Sequence, residues 1–331
     1  MIKTYKYLIL DLEVGIKKAL LGLLILCSVY ELSAQNFIRS NEWKKYRREV
    51  YVGIGAANFL GDLGGLNKIG TDYSIVDLEL SQTGISTGIG YKYKILKWLN
   101  VVSCFKYLKV KGDDKLTLEK FRNNRNLNFK SNIFELSARF ELVYMHNNVG
   151  NRYAIKRTFK QRKKTNSYDL SLFFGAGVFY FNPKGKDAVG VWHLLKPLHT
   201  EGQGLPNGAK QYKNYSVCIP LGVSYRYYIE RQWSVGIEFS FMKTFTDYID
   251  DVSTTYYDPQ ALKQAYGALS QKMADPNKGF IDGFSSPNAD GSGAQRGDIE
   301  KDSYMSLQLT VGHLIKSKKY KRKKTRLRSR F

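Results

Sequence analysis

Hydrophobic and polar residues alternate along eight separate segments of the chain, most clearly between residues 215 and 229. Aromatic and aliphatic side chains occupy every second position from Tyr215 to Ile229, whereas intervening residues such as Ser216 and Ser224 are small or polar. A period of two is typical of β-strands, whose successive side chains point to opposite faces. The segments with this pattern are residues 50–60, 84–95, 100–110, 133–145, 169–181, 215–229, 233–243 and 303–313.

The two faces of these segments favour a membrane environment. Alternation alone fits a transmembrane barrel with its apolar face outward, and equally a soluble β-sandwich or lipocalin-like barrel with that face inward. Bulky aromatic residues stand at segment ends, for example Tyr91, Trp98, Tyr144 and Trp233, as the interfacial girdle of a membrane barrel requires. The opposite face mixes glycine and serine with charges, which suits a narrow lumen. The sequence therefore predicts an all-β fold, an eight-stranded antiparallel transmembrane β-barrel of the outer-membrane type.

The connections between the segments agree with this topology. Long extracellular loops alternate with short periplasmic turns in outer-membrane barrels. Only residues 146–168 form a long connection where a short turn is expected. The alternation predicts that the long loops are extracellular and that both termini are periplasmic. The long connections are residues 61–83, 111–132, 182–214 and 244–302, and the short turns are residues 96–99 and 230–232.

The inward face of the predicted barrel carries charges of both signs. An eight-stranded barrel has an interior just wide enough for its side chains to fill. Opposite charges in that space would neutralise each other. We therefore expect a lumen filled by ion pairs, in preference to a conducting channel. The predicted lumen charges are Lys92, Lys106, Glu135, Arg139, Glu141, Arg226 and Glu238.

The N-terminus has the features of a secretory signal peptide. Lys17 and Lys18 precede the apolar run at residues 19–26, and small residues lead to Ala34. This run is too short to cross a bilayer as a helix. Lipidation at Cys27 is disfavoured because the residues before it are bulky. The predicted parts are a signal peptide at 1–34, a periplasmic N-terminal segment at 35–48, a barrel at 49–315 and a basic periplasmic tail at 316–331.

The positive charge of the chain is concentrated on the predicted periplasmic side. The formal net charge is +23, while the mean hydropathy of −0.38 argues against a bundle of membrane helices. The longest loop, residues 244–302, is rich in aspartate by comparison. The basic side chains assigned to the periplasmic face are Lys156, Arg157, Lys160, Arg162, Lys163, Lys164, Lys318, Lys319, Lys321, Arg322, Lys323, Lys324 and Arg326.

This polarised charge predicts an acidic periplasmic partner, because complementary charge speeds association and fixes orientation. A solvated basic tail without a partner is the alternative. Nucleic acid is not expected as a partner, since the signal peptide directs the chain away from it. Outer-membrane lipids are expected around the barrel.

The sequence contains no arrangement of residues that indicates an enzyme. The four histidines have no metal-ligand spacing, and no nucleophile elbow, phosphate loop or dinucleotide fingerprint occurs. Asp250, Asp251 and Asp258 could bind a cation, but such residues more often cap turns. A Cys104–Cys218 disulfide is open on sequence alone. We therefore predict no catalytic residues, no cofactor, no metal and no small-molecule substrate.

Four stretches of the chain resemble one known family, the PorG-like outer-membrane barrels of the type IX secretion system. The residues of these stretches singled out as family motif positions are Asp62, Glu201, Gln203, Asp250 and Asp251. The stretches are similar to the family's first-strand exit, fourth-strand start, third-loop signature and last-loop start, in the family's order. They are residues 58–64, 125–136, 200–204 and 246–256.

This resemblance implies a small, non-enzymatic barrel that anchors or organises the periplasmic ring of the secretion machinery. Its partners would be ring proteins of the PorK and PorN types, and its contact with them would be periplasmic. The basic periplasmic face agrees with that implication. The alternative function is a stand-alone structural or surface-binding barrel that acts through its extracellular loops.

Overall fold

The computed structural model describes residues 44, 46–63, 82–117, 119–146, 167–229, 232–285, 293–297 and 300–316. Nine antiparallel strands lie within this part of the chain. They are β1 (Arg48–Leu60), β2 (Gly84–Lys94), β3 (Leu99–Asp113), β4 (Asn128–His146), β5 (Ser167–Lys186), β6 (Trp192–Leu194), β7 (Tyr215–Tyr228), β8 (Trp233–Thr244) and β9 (Ser303–Ile315).

Eight of these strands form one closed barrel. Sequential strands pair with each other, and β5 pairs with β7 because the three-residue β6 lies outside the barrel, against the end of β5. The first and last strands complete the ring, in register from Arg48 opposite Ile315 to Leu60 opposite Ser303. The prediction of an eight-stranded antiparallel barrel is confirmed. Closure leaves no barrel strand with an unpaired edge, which a membrane-spanning sheet requires.

The barrel has an apolar outside and a largely polar inside. Outward side chains such as Ile54 and Leu309 are each 63% exposed, and they are surrounded by other aliphatic and aromatic residues. Inward residues such as Lys92 and Arg226 are almost fully buried. A soluble barrel would have the opposite arrangement, so the fold is that of an outer-membrane β-barrel.

Ion pairs fill the half of the barrel nearest the start of β1 and the end of β9. Lys92 contacts Glu141 at 2.5 Å. Arg226 contacts Glu49 at 3.0 Å. Lys106, 3.0 Å from Glu238, shares that carboxylate with the guanidinium of Arg139. The predicted lumen charges are all buried inside, and Glu135 accepts a hydrogen bond from Tyr304 at 3.0 Å. Glu49, which the sequence analysis did not single out, supplies a further negative charge.

Apolar side chains fill the opposite half of the barrel. Inward residues of the strands, including Ile133, Phe181 and Met242, pack there against residues from the long loops, including Leu195 and Val252. This core joins the loops to the barrel wall. Cys104 and Cys218 are buried free thiols, so the open possibility of a disulfide is not realised.

The long loops contain short regular elements. These are α1 (Lys120–Arg125), α2 (Pro259–Tyr266) and α3 (Ala268–Ala274), with 3₁₀ turns at Asp114–Leu116 and Lys196–Leu198. Asp258 caps α2 by accepting a hydrogen bond from the backbone N–H of Gln260, as expected for a turn-capping aspartate. No helix in the described ranges is long and apolar enough to cross a membrane.

Several predicted segments lie outside the described residues. They are the signal peptide, most of the N-terminal segment, the whole connection between β4 and β5, and the tail beyond residue 316. All thirteen basic residues assigned to the periplasmic face belong to these segments. Their role in binding a partner therefore remains a prediction.

Candidate functional site

The long loops form a structured cap over one end of the barrel. We define the loop cap as the described residues among 61–63, 114–127, 187–214 and 245–302. Its residues come from four separate connections, and all of the singled-out motif positions lie in it. The loop cap is the candidate functional site because it brings these positions together and contributes to two cavities.

Arg296 is at the centre of the loop cap. It is buried, and its Nη1 donates to Glu201 Oε1 at 3.0 Å and to the carbonyl of Asp251 at 2.8 Å. Its Nε donates to the carbonyl of Ala274 at 3.2 Å. One guanidinium thus joins the end of α3 to two distant loop segments.

Glu201 organises the same region through its carboxylate. It accepts hydrogen bonds from the backbone N–H groups of Ser253, at 2.8 Å, and Thr254, at 3.2 Å. Gln203 Oε1 accepts from the backbone N–H of Glu201 at 3.2 Å. Gly202 between them has φ +69°, and a Cβ there would lie 2.5 Å from the ring of Tyr257. Glycine is therefore required where this loop turns.

Asp251 joins the same network from the last loop. It has φ +68°, a conformation that aspartate tolerates better than most residues. Its carboxylate accepts hydrogen bonds from Thr200 Oγ1 at 2.7 Å and from the hydroxyl of Tyr212. Burial raises the pKa of Asp251 to about 6, against the opposing effect of Arg296.

A second buried arginine, Arg125, extends the network to residues 58–64 and 125–136, two of the stretches singled out in the sequence. Arg125 Nε donates to Asp114 at 2.7 Å, and its Nη2 donates to the carbonyl of Asp62 at the same distance. Its Nη1 donates to the carbonyl of Arg296 at 2.8 Å. The four stretches that resemble the PorG-like family are therefore connected by hydrogen bonds through Arg125 and Arg296.

Four aspartates lie together beside this network. Burial, and then the neighbouring charges of Asp302 and Asp62, raise the pKa of Asp250 well above its ordinary value. Burial likewise raises the pKa of Asp247 to about 8 and that of Asp302 well above its usual range. Asp250 and Asp302 each accept one backbone hydrogen bond, from Val252 and Ile249 respectively. Within the described ranges, no three His, Cys, Asp or Glu side chains are arranged to hold a metal ion.

Two cavities open next to the network. One, of about 430 Å³, is lined by apolar residues such as Leu127 and Met273 and by polar residues such as Lys272 and Arg296. The other, of about 500 Å³, lies at the barrel rim beside Trp192 and is more polar. The loop cap therefore has two cavities next to its buried network, lined by both apolar and polar side chains.

Sequence reasoning found part of this site. Asp62, Glu201, Gln203, Asp250 and Asp251 were identified, and all are buried in the loop cap. Arg296 was missed, and Arg125 was noted only as part of a similar stretch. The available signal for Arg296 was that it is the single arginine in a loop rich in aspartate. A cation in such a loop has many possible anionic partners.

Comparisons with known proteins identify no family, and the similar solved structures share little sequence with this chain. No protein-family model and no curated protein matches the chain. Ail of Yersinia pestis, solved in complex with the heparin analogue sucrose octasulfate, has 8% identity and a TM-score of 0.33, over 81% of this chain and 98% of that one. Neisserial surface protein A has 9% identity and a TM-score of 0.31, over 81% and 96%.

A further solved structure, a major outer membrane protein from Thermus thermophilus, has 11% identity and a TM-score of 0.32, over 80% of this chain and 98% of that one. At such TM-scores none of these similarities bears on function. The barrel assignment stands on the strand pairing described above.

Proposed function

We propose that this chain is a non-enzymatic outer-membrane component of the type IX protein secretion machinery that anchors or organises its periplasmic ring. The observation that carries the proposal is the convergence in the loop cap. Residues 58–64, 125–136, 200–204 and 246–256 were singled out by resemblance alone, and each contributes at least one residue to one buried hydrogen-bonded network, namely Asp62, Arg125, Thr200, Glu201 and Asp251. Stretches that fold into one unit are expected to reflect one shared architecture.

The filled interior of the barrel favours a scaffolding role and argues against a conducting pore. Ion pairs such as Lys92 with Glu141 occupy one half of the barrel, and the apolar core joined to the loop cap occupies the other. A barrel of this kind holds a fixed position in the membrane and offers its two ends to partners. In the proposed orientation, the signal peptide is removed, the loop cap is extracellular and both termini are periplasmic.

The proposed contact with the ring is electrostatic. Thirteen lysines and arginines in the β4–β5 connection and in the tail would face acidic surfaces of ring proteins of the PorK and PorN types. Neutralising them should slow association and make it less sensitive to salt.

The experiment is a mild-detergent purification of the tagged chain from outer membranes, with mass spectrometry of the proteins that co-purify. A tail variant replaces the basic residues between Lys318 and Arg326 by glutamine, and a turn variant does the same between Lys156 and Lys164. The control replaces Lys120, Lys210 and Lys263, which are exposed in the loop cap.

Ring proteins that bind the unaltered chain and the control, but not one or both periplasmic variants, are the expected result. If every variant retains the ring proteins, the contact lies on another surface of the chain. Their absence from the unaltered chain would overturn the secretion role.

A stand-alone surface-binding barrel is the second candidate, and the 430 Å³ cavity in the loop cap favours it. Secretion that survives disruption of the periplasmic basic face, but fails when the loop cap is disrupted, would select this function. The opposite pattern would select the ring contact.

A further inference from the structure

Three lysines lie side by side on neighbouring strands at the loop end of the barrel. Lys111 of β3 is directly opposite Lys130 of β4, which is directly opposite Lys184 of β5. Lys109 and Lys186 flank them, two residues away on the outer strands of the three. We call these five residues the lysine row.

The lysine row faces outward from the barrel. The residues that alternate with it, including Val110, Ser131 and Gly185, are buried inside. Lys109 and Lys186 are exposed, and the other three lysines are partly exposed. The row therefore belongs to the surface that surrounds the membrane-embedded wall.

The row lies just beyond the apolar band of the barrel. The last aromatic residues of the band on these strands are Tyr107, Phe134 and Tyr180, and the rings of Tyr107 and Phe134 are in contact, 5.1 Å apart. Lys111, Lys130 and Lys184 each lie four residues from the aromatic residue of their strand, about 13 Å further toward the loop end. Strand tilt reduces this to about 10 Å along the membrane normal. From that height the long lysine side chains can extend back to the lipid headgroup region.

The charges around the row are mutually repulsive. The charged groups that act most strongly on Lys130 are Lys109, Lys184 and Lys186, all positive. Like charges directly opposite each other destabilise a sheet, so an anion beside Lys130 and Lys184 would relieve their repulsion. Trp192 of β6 lies under Lys130, with the ammonium 3.7 Å from its ring centroid, and it holds that side chain over the outer wall.

Among the described residues, the two carboxylates that line the cavity beside the row, Asp113 and Asp187, are engaged in other hydrogen bonds. Asp187 accepts hydrogen bonds from His193, at 2.8 Å, and from the backbone of Val189 and Val191. Asp113 accepts from the backbone N–H of Lys115 at 3.0 Å. The 500 Å³ cavity at the rim is lined by Lys111, Lys186 and Trp192 as well as by these two aspartates, and it gives a headgroup room next to the lysines.

We propose that the lysine row binds the phosphate groups of phosphorylated glycolipid, the lipopolysaccharide of the outer leaflet, and so fixes the depth and rotation of the barrel in the membrane. Lysine ammonium groups pair with phosphate through charge-assisted hydrogen bonds. The proposal rests on the extracellular orientation of the loop cap given above, but it does not depend on ring proteins.

The test is titration of the purified full-length chain in detergent with fluorescent diphosphoryl lipid A. The row variant is Lys111→Gln/Lys130→Gln/Lys184→Gln. The control, Lys120→Gln/Lys210→Gln/Lys263→Gln, removes the same charge from the loop cap. Heat-modifiable electrophoretic mobility, the mark of a closed barrel, establishes that each variant is folded. Dephosphorylated lipid A and inorganic phosphate are titrated in parallel.

The row variant should bind diphosphoryl lipid A at least tenfold more weakly, since each lysine near a membrane surface contributes about fivefold. The control variant should bind diphosphoryl lipid A with the same affinity as the unaltered chain. Added salt should weaken the binding of both proteins. Dephosphorylated lipid A should bind all three proteins alike and weakly, and inorganic phosphate should compete at high concentration only. Unchanged affinity in the row variant, an equal loss in the control, or tight binding of dephosphorylated lipid would each overturn the proposal. None of these results depends on the ring pull-down.

Discussion

At the scale of single residues, the loop cap depends on two buried guanidinium groups that bridge segments far apart in sequence. Arginine suits this role because its planar fork supplies several donors in fixed directions. Arg125 and Arg296 each bind one carboxylate and two backbone carbonyls. Burial of such charges is favourable only while these partners are present.

Replacement of Arg296 by methionine should therefore unfold the loop cap and leave the barrel intact. The change leaves Glu201 buried without its cation, and breaking a buried pair in this way costs about 3–5 kcal/mol. Proteinase K should cleave the loops of the variant much faster, while heat-modifiable mobility stays unchanged. Lys263→Met, an exposed change in the same loop, is the control. Equal protection of both variants would show that the arginine is dispensable.

We expect the loop cap to be less stable at higher pH because of its buried aspartates. Burial raises the pKa of Asp247 to about 8 and also raises those of Asp250 and Asp302. A carboxyl group with a raised pKa binds more protons in the folded state than in the unfolded state. Stability is then fully present near pH 4 and declines as pH rises toward 8.

Near-ultraviolet circular dichroism of the stacked Tyr212 and Tyr248 rings would report this change. The melting temperature of the loop cap should fall between pH 5 and pH 8, and Asp247→Asn should reduce the dependence, because asparagine resembles the protonated acid. A melting temperature that rises over this range would contradict the assignment.

At the scale of secondary structure elements, the barrel strands were predictable from sequence because lipid and lumen impose different chemistry on alternate residues. That constraint weakens beyond the membrane. β4 and β5 extend to Asn128 and Lys186, well past the predicted ends at 133 and 181. β6 and the loop helices follow local turn chemistry and contacts with the core, which no periodic pattern encodes.

The loop cap was predictable only in part, for a related reason. Its aspartates and Glu201 stand in short stretches that can be compared with other sequences. The partners of these residues are distant: Arg125 binds Asp62, and Arg296 binds Glu201. Such contacts depend on how the loops fold onto the barrel, and a single sequence does not specify that in advance.

The ion pairs in the lumen should contribute to the stability of the barrel strands. Glu238 pairs with both Lys106 and Arg139, so Glu238→Gln should leave two buried cations beside one neutral partner. We expect a loss of about 3–5 kcal/mol of barrel stability. Urea unfolding in detergent, followed by intrinsic fluorescence, would measure it, with the exposed Asp282→Asn as control. Unchanged unfolding in the glutamine variant would argue against a structural role for the network.

At the scale of the whole molecule, the two ends of the barrel are built differently. The end at which β1 begins and β9 ends is filled by charges, and the other end is closed by an apolar core and the loop cap. A molecule of this kind is suited to fixed placement in a membrane with distinct surfaces on each side. Which surface faces the cell exterior is then decisive for either proposed function.

Labelling of introduced cysteines in intact cells would establish the orientation. A membrane-impermeant maleimide should label Lys263→Cys in the loop cap but not Lys321→Cys in the tail until the outer membrane is permeabilised. Cys104 and Cys218 are buried and should give no background. Labelling of the tail in intact cells, with the loop cap protected, would reverse the proposed topology.

The pairing of β1 with β9 also sets the order in which the molecule can be assembled. The residues that seal the wall, from Arg48 and Ile315 to Leu60 and Ser303, stand at opposite ends of the barrel sequence. Hairpins such as β4–β5 can form from neighbouring chain, but the seam must wait until the last strand has emerged. Contacts of such long sequence separation fold slowly. A chain truncated before β9 would thus be left with two open sheet edges, and it would depend on periplasmic chaperones to keep it from aggregating.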